Sequence, residues 1–141
     1  MYKRQNIYIE NEIGDRYIPL TGAMLVETGS SDTYSITIQL TETQRARMIG
    51  ISGTAGGDGI SVTAEVKANT FFDIAQNWND PKDGIIVEEI PDIVQPVIIG
   101  ISCNLSTGHI VFEASETIDI TPQSNVTVSY THLTLPTKVT V

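Results

Sequence analysis

Basic residues are scarce in this 141-residue chain: eight lysines and arginines stand against 17 aspartates and glutamates, a formal net charge of −9. So acidic a surface repels phosphate backbones and anionic lipid, which argues against nucleic-acid and membrane-surface partners. Cysteine is nearly absent, and the single thiol, Cys103, excludes an internal disulfide and any multi-cysteine metal site. It sits in the apolar run Val97–Cys103 and is expected to be a buried, inert thiol. Histidine is equally sparse, so a Cys/His nucleophile outside the C-terminal stretch would have to pair Cys103 with His109, and nothing else supports that pairing. Long apolar runs are missing too: none approaches the ~20 residues needed to cross a bilayer.

What is present is mostly strand signal. Asn6–Glu10 alternates around Ile7 and Ile9, and Ala23–Glu27 carries Met24, Leu25 and Val26. Tyr34–Leu40 alternates cleanly, with Tyr34, Ile36, Ile38 and Leu40 on one face, and Ile60–Val66 repeats the pattern. Further strands are expected at Gly84–Glu88, Pro96–Ser102 and His109–Ala114, with a weaker one at Thr117–Thr121. Turn clusters at Glu27–Asp32, Gly53–Gly59, Asn77–Gly84 and Asn104–Gly108 separate these runs, a spacing that points to a sandwich or barrel. One segment breaks the pattern. Thr41 with Gln44 three residues on forms a capping box, so a short helix is expected from Glu42 to about Ile49, ended by Gly50. Met48 and Ile49 would face inward, Arg45 and Arg47 would stay wet, and the helix would connect sandwich strands.

Both ends resemble translated sequencing adapter. Met1–Gln5 is what GTG-TAT-AAG-AGA-CAG encodes, the transposon end of a common tagmentation library. Val128–Thr137 matches GTC-TCT-TAT-ACA-CAT-CTG-ACG-CTG-CCG-ACG, and Lys138–Val141 fits barcode-bearing codons before a stop. The resemblance implies that residues 1–5 and 128–141 are not native and belong outside fold reasoning. It also implies a chain truncated on both sides, as in a metagenomic assembly. Asn6–Thr127 then remains, 122 residues, long enough for one core. Setting aside Lys3, Arg4 and Lys138 leaves five basic residues against all 17 acidic ones, a net charge of −12.

Asp92–Asp119 resembles the opening of bacterial-type immunoglobulin-like repeats of S-layer and surface proteins. An Asp-x-x-x-Pro start (Asp92, Pro96) leads to a strand, a Thr107-Gly108 hairpin, and a strand ending in Phe112, Ser115, Glu116, Ile118 and Asp119. Glu113 and Ala114 are inserted between the Phe and the Ser, which predicts a register shift or bulge. Phe72–Asn77 resembles the motif that closes such a repeat, with Gln76 where the family usually has glycine. Leu40–Gly59 resembles a helix-and-glycine-loop insertion of large tandem-repeat surface proteins of marine microbes. A closing motif thus precedes an opening one. The resemblance implies that residues 6–91 hold the later strands of one repeat and residues 92–127 the first strands of the next, two pieces able to close as one permuted sandwich. Direct internal repetition is not visible, since neither repeat is complete.

Among site candidates, Asp73, Asn77, Asn79 and Asp80 place oxygen ligands in one loop, with Asp92, Glu116 and Asp119 as second-side ligands for a calcium ion. The spacing is not an EF-hand, and Asx-turn chemistry alone also explains such a loop. Trp78 reads as a half-buried loop anchor in preference to a carbohydrate-stacking platform. Gly53–Gly59 lacks the Gly-Lys-Ser/Thr ending of a phosphate loop and is expected to be a flexible hairpin or bulge loop. Glu12, Asp15, Glu88 and Glu89 show no pairing that marks acid/base work, and the sequons at Asn104 and Asn125 read as chance.

The expectation is therefore an all-β, immunoglobulin-like antiparallel β-sandwich with one short helix and no catalytic residues. It would be a non-enzymatic spacer or adhesion repeat of a large secreted or cell-surface protein, located outside the cell. Its partners would be neighbouring repeats and a glycan or protein ligand, with no nucleic acid and no membrane insertion. No cofactor is expected beyond calcium at the repeat junction. Alternatives are a carbohydrate-binding or accessory module of a secreted enzyme and a phage or virus tail decoration domain, and fold alone does not choose among them.

Overall fold

The computed structural model describes residues 3–11, 17–26 and 32–120. A single 3-10 turn, Arg4–Asn6, leads into β1 (Ile7–Glu10), and β2 (Tyr17–Pro19), β3 (Met24–Val26) and β4 (Thr37–Gln39) follow. Then come the helix α1 (Glu42–Gly50), β5 (Thr63–Val66), β6 (Lys82–Ile86), β7 (Ile98–Asn104) and β8 (His109–Ala114). The strands form a four-stranded sheet in the order β2-β1-β5-β6 and two ribbons, β3-β4 and β7-β8. Every strand pair is antiparallel. The described chain is thus β-rich with one short helix, and no described helix is long and apolar enough to cross a membrane.

Period-2 alternation builds the core. Ile7 and Ile9 of β1 lie opposite Val66 and Ala64 of β5, and Ile9 also lies opposite Ile18 of β2, so all five share one face. Ile7, Ile9, Ile18, Leu20, Ala23, Ile51 and Val62 are buried there, with Ile38 of β4, Leu40 just after it and Met48 of α1 packed against them. The other face is amphipathic: Tyr8 and Tyr17 meet edge to face at 5.8 Å, and the Lys67 ammonium lies 4.8 Å from the Tyr8 ring centre. β6 contains a bulge, where Lys82 pairs with Val66 and Ile85 with Ala64, and Gly84 takes a left-handed φ of +59°.

The capping box forms as the sequence predicts. Gln44 N donates to Thr41 Oγ1 (3.2 Å) and Thr41 N to Gln44 Oε1 (2.9 Å). Gln44 is also buried, and its Nε2 donates to the carbonyls of Pro19 (2.9 Å) and Thr21 (2.8 Å), tying the helix start to the end of β2. The helix ends one residue later than expected, at Gly50.

Several expectations are corrected. Only Thr37–Gln39 of the predicted Tyr34–Leu40 strand pairs, because β3 offers three partners, and Tyr34 and Ile36 are exposed. β5 starts at Thr63, not Ile60, because Gly59 and Ile60 are used in the preceding loop. β6 begins two residues earlier and β7 two residues later than the sequence predicts, whereas β8 spans His109–Ala114 as predicted. Thr117–Ile120 forms no strand, and Thr121, like Glu27 and most of the Glu27–Asp32 turn, lies outside the described residues. So do Glu12, Asp15, Asn125, His132 and the whole of Val128–Val141. Lys3, in the other tail, donates its amide to the Thr70 carbonyl at 3.1 Å.

The Gly53–Gly59 segment is a loop with internal hydrogen bonds, and most of its residues are exposed. Gly57 N donates to the Thr54 carbonyl and Gly59 N to the Ser52 carbonyl, while Asn11 Nδ2 bridges the Ile51 carbonyl (3.0 Å) and Asp58 (2.7 Å). Glu89 clamps both ends of the loop, accepting from Gly53 N (2.9 Å) and Val62 N (2.6 Å).

β7 and β8 form a separate ribbon closed by a turn in which Asn104 Oδ1 accepts from Ser106 N and Thr107 N, with Gly108 at φ +74°. Its register shifts between Ile98 and Gly100, opposite Glu113 and Ala114, and the extra residue is Ile99 of β7, not one of the two residues the sequence marks as inserted in β8. Cross-strand pairs Ile98–Ala114, Ile101–Phe112 and Cys103–Ile110 put most of the apolar side chains on one face, and Ser102, Asn104, His109, Val111 and Glu113 lie on the other. Yet the apolar face is open: Ile101 is 66% and Phe112 59% exposed. Cys103 shares that face and is exposed, not buried. Alternation also sends Cys103 and His109 to opposite faces, so they make no nucleophile–base pair.

Candidate functional site: the junction between the sheet and the hairpin

Arg45 organises the place where the β7–β8 ribbon meets the rest of the chain. Its Nε and Nη2 grip Glu42 one helical turn back (2.8 and 2.9 Å), a two-pronged contact that holds the guanidinium plane. Nη1 then reaches Asp92 (2.6 Å) before β7, and Nη2 reaches Glu116 (2.8 Å) after β8. Glu42 returns the contact by accepting from the Thr117 amide at 2.8 Å. One helical arginine thus joins both stems of the hairpin to α1. Arg45 was expected to stay wet, but its side chain is 31% exposed and that of Glu116 only 13%. Among the described residues, the buried Glu116 Oε1 finds no hydrogen-bond partner.

The charges respond to this geometry. Hydrogen bonds from Arg45 first, then from the Thr117 amide, hold the Glu42 carboxyl at about 2, below its ordinary 4.5. Asp92 is lowered mainly by the Val94 amide and then by Arg45, and Arg45 itself is raised, chiefly by Glu42. Because folding depresses Glu42, its contribution is complete above pH 4.5 and fades as the pH falls towards 2. An NMR titration should therefore show the Thr117 amide moving with a midpoint near 2. A midpoint at the ordinary carboxylate value would show that the contact does not form in solution.

The structure divides the seven oxygen-ligand candidates. Asp92 and Glu116 meet at Arg45, and Asp119 is exposed three residues further on. Asp73 and Asn77 satisfy each other: Asn77 N donates to Asp73 Oδ1 (2.8 Å) and Asn77 Nδ2 to Oδ2 (3.0 Å), which lowers the Asp73 carboxyl. Asn79 spends all its hydrogen-bonding capacity on the backbone. Its Oδ1 accepts from Thr70 N and Phe71 N, and its Nδ2 donates to the carbonyls of Lys67 and Asp80. Asp80 itself is exposed. Among the described residues, no group of three or more His, Cys, Asp or Glu side chains is disposed to hold a metal ion.

The same loop carries a strained residue. Gln76 sits at φ +67°, the left-handed region that costs a side-chain-bearing residue about 1–2 kcal/mol. Gln76→Gly should raise stability by about 1 kcal/mol in chemical denaturation, the relief of strain exceeding the added freedom of the unfolded chain. Trp78 is 46% exposed, packs edge to face on Phe72 at 5.0 Å, and has the Lys3 ammonium 5.3 Å from its ring centre. It anchors the loop, and its ring is already engaged.

Beside Arg45 lies an open cleft of about 600 Å³. Leu40, Met48, Ile49, Ile90 and Val94 form its apolar lining, and Glu42, Glu88, Glu89, Asp92 and Glu116 its charged one. The apolar lining and Glu88 were not singled out as a site by sequence, since neither carries a motif. No family model, no curated protein and no solved structure matches this chain.

Proposed function

We propose that the chain is a non-enzymatic structural repeat segment of a large secreted or cell-surface protein. It would hold the later strands of one immunoglobulin-like sandwich and the first hairpin of the next. The carrying observation is the β7–β8 ribbon, whose apolar face (Ile98, Ile101, Cys103, Ile110, Phe112) is covered by none of the described residues although the sequence alternates as half of a sandwich does. A face built to pack and left open points to a missing partner sheet. The left-handed Gln76, standing at a glycine position of the closing motif, accords with the repeat motifs. Arg45 then acts as a junction brace, fixing how one unit follows the next. The edge-to-face packing of Trp78 on Phe72 favours a loop anchor over the carbohydrate-stacking alternative.

A spacer bears load, so the test is mechanical. Single molecules of the chain joined in a polyprotein should give repeated unfolding peaks, each releasing about 30 nm from the unit spanning residues 3–91 at ~3.4 Å per residue. Extension without force peaks, or glycan binding lost on Trp78→Ala, would replace the spacer reading with a flexible tether or a carbohydrate module.

A further inference from the structure

We propose that the cleft beside Arg45 docks an extended peptide segment carrying a lysine or arginine between apolar side chains. This holds whether or not the chain is a surface repeat. The volume, about 600 Å³, is that of a ligand-sized site. Its apolar lining extends to exposed residues, with Ile90 and Val94 open to solvent at the mouth. An apolar segment could bury itself there, but the charge decides what kind. Five carboxylates face one arginine around the cleft, a formal local charge of −4.

Those carboxylates are not equally engaged. Glu42 and Asp92 are held by Arg45, and Glu89 by the Gly53 and Val62 amides. Glu88 is exposed and has no ion pair among the described residues. An incoming ammonium or guanidinium would find Glu88 at the rim and an excess of negative field within, whereas a carboxylate would be repelled at every approach. Backbone geometry favours an extended occupant. β6 is an edge strand, and the Glu88–Val94 segment that continues from it joins no strand pair among the described residues. An added strand could bond there while its alternate side chains enter the cleft.

The test uses the full chain and three fluorescein-labelled peptides, Val-Leu-Lys-Leu-Val and its Lys→Glu and Lys→norleucine counterparts. Anisotropy titrations should show the lysine peptide binding at least tenfold tighter than either, and weakening in 0.5 M salt (roughly a 4 Å Debye length). Its binding should shift the Met48 methyl resonance. Glu88→Gln, a rim change with no packing role, should weaken the lysine peptide at least threefold and leave the norleucine peptide unchanged. Equal affinity for the three peptides, binding without a Met48 shift, or no binding of the lysine peptide overturns the proposal.

Discussion

Gly57→Ala should destabilise the packed unit by about 3 kcal/mol in chemical denaturation, a large effect for one methyl group. A Cβ built on Gly57 would lie 2.1 Å from the Ser52 carbonyl oxygen and 2.7 Å from that of Ile49. Both are backbone atoms, one in the last turn of α1 and one just past its end, so neither can swing aside as a flexible side chain would. Relief requires moving the loop off the helix, which would also break the Gly59–Ser52 bond and disturb the Asn11–Asp58 contact beneath it. Among the described residues, nothing lies within 4 Å of a Cβ built on Gly50, Gly59 or Gly108. Gly50→Ala is therefore the internal control, and it should be neutral or slightly stabilising, as alanine is the better helix former. If Gly57→Ala proves as mild as Gly50→Ala, the loop does not pack on the helix as described.

Arg45→Ala should cost about 2 kcal/mol and free the hairpin stems from α1. Three carboxylates would be left facing one another, with Glu116 largely buried and deprived of its cation. The exposed Glu42 contact contributes little by itself, and the Glu116 and Asp92 contacts carry most of the effect. Arg45→Lys should recover only part of the loss, because a single ammonium cannot reproduce a planar fork that touches three carboxylates. Loss of the Asp92 and Thr117 amide shifts typical of the folded junction, with β1 and β5 shifts unchanged, is the expected NMR pattern. An alanine variant as stable as the parent would mean that the junction rests on something other than this arginine.

Local signals were readable from sequence and distant ones were not. The capping box of Thr41 and Gln44 and the alternation of His109–Ala114 depend on neighbours a few residues away, and both appear where expected. The same alternation misled at Tyr34–Leu40, since pairing there is limited by β3, three residues long, and a strand ends where its partner does. β2 went unnoticed because Tyr17-Ile18-Pro19 is too short to show a period and ends in proline. From sequence alone, Arg45 is one more solvated helix charge. Its partners Asp92 and Glu116 lie 47 and 71 residues away, and no spacing rule links them. The cysteine was misplaced for a different reason. Cys103 does lie on an apolar strand face, but the described chain offers nothing to cover it.

That face is the centre of the proposed two-unit organisation, and native-state hydrogen exchange on a head-to-tail tandem of residues 6–127 tests the proposal most directly. At the joint of the tandem, the opening hairpin of the first copy is followed by the closing strands of the second, the order of one whole repeat. The β7–β8 amides of the first copy should then gain at least tenfold in protection over the single chain, while those of the second copy stay as they are. If the ribbons of both copies exchange as in the single chain, or if the single chain already protects β7–β8 as strongly as β1 and β5, the two-unit reading is wrong.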